Sequence, residues 1–211
     1  MIDPSILENG LNSIRNTDIY LIDLILKRHF NPTMKIMDAG CGMGRNVEYF
    51  LQAGYEVFGA DISVDDVNYL RKHAMDINPK IKEDYFRLEP IEAMSFEPES
   101  VDVVICNTVL HFAKNDDHFN EMLQGAWKLL KPGGIFFSRL ATSIGIEKQI
   151  KHIEGRQYLL PDGTKRYLAD EIMLLQLTHK MNAHFLEPLK TVNVQNTRCM
   201  TNWILKKGVR G

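Results

Sequence analysis

Asp38-Ala39-Gly40-Cys41-Gly42-Met43-Gly44-Arg45-Asn46 joins two segments of different character. Lys35-Ile36-Met37-Asp38-Ala39 before it reads as a short strand, and Asn46 to Leu51 after it reads as a helix. A strand that runs through closely spaced glycines into a helix lets the backbone turn sharply. It also lets a ligand lie against bare main chain. The neighbouring segments extend the alternation. Tyr55 to Ala60 is a second strand, Val64 to Met75 a charged amphipathic helix, and Asp84 to Leu88 a weaker strand. Val101 to Cys106 is a run of β-formers suited to burial on both faces. Phe119 to Leu130 is helical up to Lys131-Pro132-Gly133-Gly134, and Ile135 to Arg139 is a fifth strand.

Strands alternating with helices predict a doubly wound α/β fold, with a mostly parallel sheet and helices on both faces. Toward the chain start, Leu11 to His29 reads as one helix, with Asn16, Thr17 and Asp18 as cap candidates before an apolar face of Ile19, Ile22, Ile25 and Leu26. Toward the end, Leu168 to Met181 reads as a helix. His184 to Val194 and Arg198 to Lys206 are extended across the short gap Gln195-Asn196-Thr197, so an antiparallel pair should close the sheet.

Asp61 ends the second strand, about 17 residues past Gly44, where a carboxylate can accept both hydroxyls of a ribose. Two features oppose a nicotinamide cofactor. Arg45 holds the last fingerprint position, where a small residue lets helix and strand pack closely. Asp38 stands two residues before the first glycine, a place for a cationic group or loop hydrogen bonds rather than a pyrophosphate.

The Asp-x-Gly-x-Gly-x-Gly spacing, with an acid ending the next strand, resembles motif I of the class I S-adenosylmethionine-dependent methyltransferases. Val101 to Phe112 resembles their fourth-strand motif, and Leu130-Lys131-Pro132-Gly133-Gly134 the turn before their fifth strand. The resemblance covers roughly Asp38 to Arg139, in order. The tail around Asn196, Arg198, Met200 and Trp203 is loosely similar to small tellurite-resistance-type members. The family implies a Rossmann-like sheet of seven strands with the last antiparallel, over one methyltransferase domain spanning 1–211.

The resemblance also implies site residues. S-adenosyl-L-methionine, leaving as S-adenosyl-L-homocysteine, would lie against Gly40, Cys41, Gly42 and Gly44. Asp38 would support the loop and the cationic methionyl end. Asp61 would hold the ribose hydroxyls, with Ile62 flanking the adenine. After the third strand Glu89 and Glu92 both qualify as the adenine-side acid, and Ile91 with Glu92 is the favoured pair. Asn107 and Thr108 would face the cofactor. Arg45 or Asn46 would reach the methionyl carboxylate, which a helix N-terminus also favours.

A sulfonium carries an activated methyl group, so a base is needed only where the acceptor must lose a proton. His111, just past the fourth strand, is the base candidate, and Arg139 the candidate contact for an anionic acceptor. Residues 1–30 are expected to form a helical lid and residues 141–167 a substrate-facing insertion. Asn107-Thr108-Val109-Leu110 lacks the Asn/Asp-Pro-Pro-Tyr/Phe pattern of nucleic-acid amino-methylating enzymes.

Composition is consistent with a small-molecule enzyme. The 211 residues hold 25 Lys and Arg against 27 Asp and Glu, a net charge of −2, so nothing global attracts nucleic acid or an anionic membrane. Three cysteines with no Cys-x-x-Cys pair, and no His-x-x-x-His pair, predict reduced cytoplasmic thiols and no metal site. No secretory leader pattern opens the sequence, and no segment is apolar for the about 20 residues a membrane span needs. A small-molecule acceptor and a monomer or homodimer are expected. The competing expectations are a cofactor-binding regulatory subunit of the same fold and, with less support, a nicotinamide-dependent oxidoreductase.

Overall fold

A computed structural model describes residues 10–209. The fold class is the one expected, a mostly parallel multi-stranded sheet with helices on both faces. The chain divides into two compact units, one ending at Pro90 and the other beginning at Ile91. Among the described residues no helix is long and apolar enough to cross a membrane.

In the first unit β1 (Lys35–Ala39), β2 (Glu56–Asp61) and β3 (Phe86–Leu88) are parallel. Parallel neighbours require crossovers, supplied here by helices α2 (Glu48–Gln52) and α3 (Val64–Ile77). The Oγ of Ser63 caps α3 by accepting from the Asp66 amide at 3.3 Å, and Asp65 and Asp66 sit in its first turn, where the helix dipole favours negative charge. Val67, Leu70 and Ala74 bury the face of α3 that packs on β2 and β3. Phe50 anchors α2 through edge-on contacts with Phe30, Tyr49 and Tyr55, at ring separations of 5.3, 5.4 and 5.2 Å.

The single helix expected over Leu11 to His29 is interrupted. Residues 10–14 are helical, a turn follows, and α1 spans Ile19–Leu26. The break has a tertiary cause. The hydroxyl of Thr17 donates to the Arg45 carbonyl at 3.2 Å, and the Asp18 amide donates to Asn46 Oδ1 at 3.1 Å. The Asp18 carboxylate then caps α1 through the Tyr20 amide at 3.0 Å. These ties also set the helix rotation. Leu21 and Leu24 are buried, whereas Ile19 and Leu26, expected on the apolar face, are exposed.

In the second unit β4 (Val101–Asn107) runs parallel to β5 (Leu130–Thr142), with α4 (Asp116–Trp127) between them in sequence and packed on both. Small antiparallel strands β6 (Lys151–Glu154), β7 (Gln157–Leu159) and β8 (Lys165–Tyr167) form a separate sheet inside the expected insertion. Helix α5 (Glu171–Lys180) follows, capped by Asp170 through the Met173 amide at 2.7 Å.

The extended run expected over His184 to Val194 splits at Pro188 into β9 (Ala183–Phe185) and β10 (Lys190–Val194). Proline cannot donate to a strand ladder. β10 and β11 (Arg198–Lys207) form the expected hairpin, turning through Gln195 and Asn196 at φ 50° and 57°. β11 pairs antiparallel with β5, and β9 adds to β11 beyond the strands expected. Phe136, Phe137 and Trp203 are fully buried in this unit, and the Trp203 indole donates to Thr178 Oγ1 at 2.9 Å.

Candidate functional site

The first unit carries the glycine loop between β1 and α2. Gly40, Gly42 and Gly44 all have positive φ, at 86°, 49° and 86°, a conformation costly to side-chain-bearing residues. The Gly40 and Cys41 amides donate to the Ala60 carbonyl at 2.8 and 3.1 Å, which draws the loop over the end of β2. Asp61 fastens it there. Its Oδ2 accepts from the Gly42 amide at 2.8 Å and its Oδ1 from the Ser63 amide at 2.9 Å. Close approach matters beneath the loop: a Cβ on Gly59 would lie 3.0 Å from Cys41 Sγ. Burial, with Asp38 and Asp61 close by, pushes the Cys41 thiol up, so it is an inert packing group.

Asp38 is 1% exposed, and neither carboxylate oxygen has a hydrogen-bond partner among the described residues. Burial raises its pKa to about 8, with Arg45 lowering it and Asp61 raising it further. An ionised carboxylate in such a place calls for a cation or donors. Ile62, immediately after Asp61, is 77% exposed. Asn46 is buried and spends its Oδ1 on Asp18, so it acts in joining the loop to α1. Arg45 is exposed and reaches the Asn16 carbonyl at 3.5 Å. A cavity of about 810 Å³ includes Gly44 and Arg45 in its lining with Arg15, Glu48, Tyr69 and His73, but not Asp38, Gly40, Gly42 or Asp61.

Of the acids after β3, Glu89 is tied to Asp61, its amide donating to the Asp61 carbonyl at 3.0 Å. Ile91 and Glu92 belong to the second unit. Ile91 is buried, and its carbonyl approaches Gly125 of α4 so closely that a Cβ there could not fit. Glu92 meets His118 of α4 at 3.3 Å.

The remaining candidates also lie in the second unit. Asn107 ends β4, 4% exposed, in register with Arg139 of β5. Thr108 follows with φ 63°, a strained position for a β-branched residue, held by its amide, which donates a hydrogen bond to the Arg139 carbonyl at 2.8 Å. His111 is buried, and the Ala141 amide donates to its Nδ1 at 3.1 Å. Because Nδ1 accepts, the ring proton sits on Nε2. Burial, and then the Arg166 charge, push the imidazole pKa down to about 4. His111 is therefore a neutral hydrogen-bond donor at ordinary pH. Its acceptor nitrogen is already taken, which opposes the base role expected from sequence.

Thr108, His111 and Arg139 line one cavity of about 250 Å³ with Arg166, Arg198 and Asp162. The last three were not singled out as site residues, although the sequence shows the basic side chains clustered in the insertion and tail. Among the described residues no group of three or more His, Cys, Asp or Glu is placed to hold a metal ion.

Residues 37–138 match the family model described as a methyltransferase domain. A ubiquinone biosynthesis O-methyltransferase of Chelativorans sp. is 32% identical over 141 residues, which are 64% of this chain and 51% of that protein. The chain thus spans about half the length of that relative. Among solved structures, a methyltransferase from Methanosarcina mazei superposes with TM-score 0.72 at 19% identity, covering 88% of this chain and 98% of that one. The magnesium protoporphyrin IX methyltransferase of Synechocystis PCC 6803, solved with bound S-adenosylhomocysteine, gives 0.68 at 16% identity, with 92% and 83% covered. At these identities the structural likenesses show the fold.

Proposed function

We propose that the chain is a class I S-adenosylmethionine-dependent methyltransferase and that it methylates a small-molecule acceptor, a reading supported by the methyltransferase-domain match over residues 37–138 and the 32% identical O-methyltransferase relative. When bound, S-adenosylmethionine supplies a methyl group already activated on a sulfonium. The observation that carries the reading is Asp38, a buried carboxylate without a hydrogen-bond partner among the described residues, next to a loop of three positive-φ glycines. A cationic amino group fits that carboxylate, as a pyrophosphate does not.

The residues divide the work. Asp38 holds the cationic methionyl end. Gly40, Cys41, Gly42 and Gly44 border the cofactor, with Gly42 presenting main chain on which even an added Cβ would meet nothing within 4 Å. Asp61 keeps the loop closed and has lone pairs left for ribose hydroxyls. Ile62 offers an exposed apolar surface to the adenine, and Glu89, whose amide donates to the Asp61 carbonyl, is an acid for the adenine side carried by the first unit. Arg45 contributes positive charge at the loop. Asn107 and Thr108 shape the end of β4. His111 orients the acceptor through Nε2–H. Positioning of this kind can supply several kcal/mol of the barrier reduction, roughly 7–11 in well-oriented intramolecular systems. The composition and buried thiols fit work in a reducing cytoplasm, as a monomer or homodimer, without nucleic acid. Residues 141–167, which supply Leu160, Asp162 and Arg166 to the lining of the second unit's cavity, would cover the acceptor; the lid expected over residues 1–30 includes residues 1–9, which lie outside those described.

Thermal unfolding with S-adenosylhomocysteine tests the proposal. At 100 times Kd the ligand should add about 2.7 kcal/mol, a rise of roughly 5–10 °C for a chain of this length. A folded protein whose Tm does not move with the ligand would overturn it.

A further inference from the structure

The cavity of about 250 Å³ in the second unit has an uneven charge. Arg139 of β5, Arg166 of β8 and Arg198 of β11 line it, opposed by Asp162 alone. Asp162 is partly committed already. It accepts from the Thr164 amide and hydroxyl at 3.0 and 2.6 Å, and Arg198 approaches it only to 3.8 Å. Arg166 lies over the exposed Phe112 ring at 4.8 Å and donates to the Lys165 carbonyl at 2.8 Å, leaving further donors on its five-donor fork. No described residue accepts from Nε2–H of His111. Asn202, in register with Arg139 and 1% exposed, has no hydrogen-bond partner for either amide atom among the described residues. Leu160 and Met200 supply the apolar wall.

Three guanidiniums lining one cavity, a neutral imidazole donor and an apolar wall suit an oxyanion attached to a small apolar body. The volume lies just under the ~300–1,000 Å³ typical of drug-sized ligand sites, room for about one ring. We infer that this cavity binds the methyl acceptor, and that the acceptor is a small molecule bearing a carboxylate or phosphate held by Arg139, Arg166 and Arg198, with His111 Nε2–H as an added donor. The inference rests on the methyltransferase reading for the word acceptor, but the anion site stands on its own residues.

The test is calorimetric titration of the intact protein with benzoate, phenyl phosphate and benzamide, beside a titration with S-adenosylhomocysteine. At least one of the two anions should bind about tenfold or more tightly than the neutral amide, and the preferred anion identifies the oxyanion. Arg166→Gln and Arg198→Gln should each erase most of that preference. Arg198 is exposed, so its variant keeps the test valid if replacing Arg166 harms folding. Equal affinity for amide and anions, no binding of either anion at millimolar concentration, or full anion preference in both variants overturns the inference. If the anions fail while S-adenosylhomocysteine binds, only the acceptor class is wrong. If S-adenosylhomocysteine fails while an anion binds, the anion site stands and the methyltransferase reading falls.

Discussion

The Gly42 amide donates to Asp61 Oδ2 at 2.8 Å, so the acid that ends β2 is also the latch of the glycine loop. Its other oxygen accepts from Ser63, the residue that caps α3. Asp61→Ala removes both acceptors and leaves two loop amides to water. Stability should fall by about 1–3 kcal/mol, and affinity for S-adenosylhomocysteine by about tenfold or more, because loop order and a ribose contact go together. Urea unfolding and calorimetry measure the two. An Asp61→Ala protein with unchanged ligand affinity would remove the ribose role and leave only the latch.

Asp38 sets a pH dependence of opposite sign to an ordinary salt-bridged acid. Its folded pKa is raised from 3.8 to about 8 by burial, so between those values the folded state binds the proton more tightly than the unfolded chain. Stability from this group is full below about pH 4 and is lost as pH rises through about 8. Ligand-free protein with Asp38→Asn should lose less stability over that window than the wild type. The same substitution should weaken S-adenosylhomocysteine binding about tenfold or more by removing the partner of the cationic amine. Parallel stability curves for the two proteins between pH 5 and 8 would contradict the burial argument.

Local signals were readable and distant ones were not. The glycines of the Asp38–Asn46 stretch announce their positive φ because few other residues tolerate it, and Gln195-Asn196 marks the hairpin for a similar reason. The break between residue 14 and Ile19 has no local mark because its cause is the bonding of Thr17 to Arg45 and of Asp18 to Asn46, each 28 residues away. Glu92, favoured over Glu89 from the sequence, is engaged by His118, 26 residues on, a contact that no local pattern marks. The protonation of His111 depends on the Ala141 amide, 30 residues beyond. The arginine cluster comes from three strands that no sequence spacing relates.

His111 gives a kinetic signature. With a pKa near 4 and Nδ1 accepting from Ala141, it stays neutral from pH 5.5 to 8, so it should add no inflection to kcat in that range. His111→Ala should still slow turnover, through loss of the Nε2–H donor and of the partner for a buried amide, the latter costing about 1–3 kcal/mol of stability. A kcat profile with an inflection near pH 6–7 that disappears in His111→Gln would restore the base role.

Two glycines of the loop should separate folding from binding. A Cβ on Gly44 would lie 2.4 Å from Leu70 Cδ1, at φ 86°, whereas one on Gly42 meets nothing within 4 Å at φ 49°. Gly44→Ala therefore carries both backbone strain and a collision with the buried face of α3, and should cost more than the ~1 kcal/mol of a strained Ala alone. Gly42→Ala carries the backbone cost only, so its Tm should fall less. If the open face of Gly42 is where the ligand lies, the added methyl group occupies that space, and affinity for S-adenosylhomocysteine should drop about tenfold or more while the fold persists. Thermal unfolding and titration of both variants give the comparison. A Gly42→Ala protein that binds the ligand as wild type does would mean that the ligand does not approach the loop at that residue.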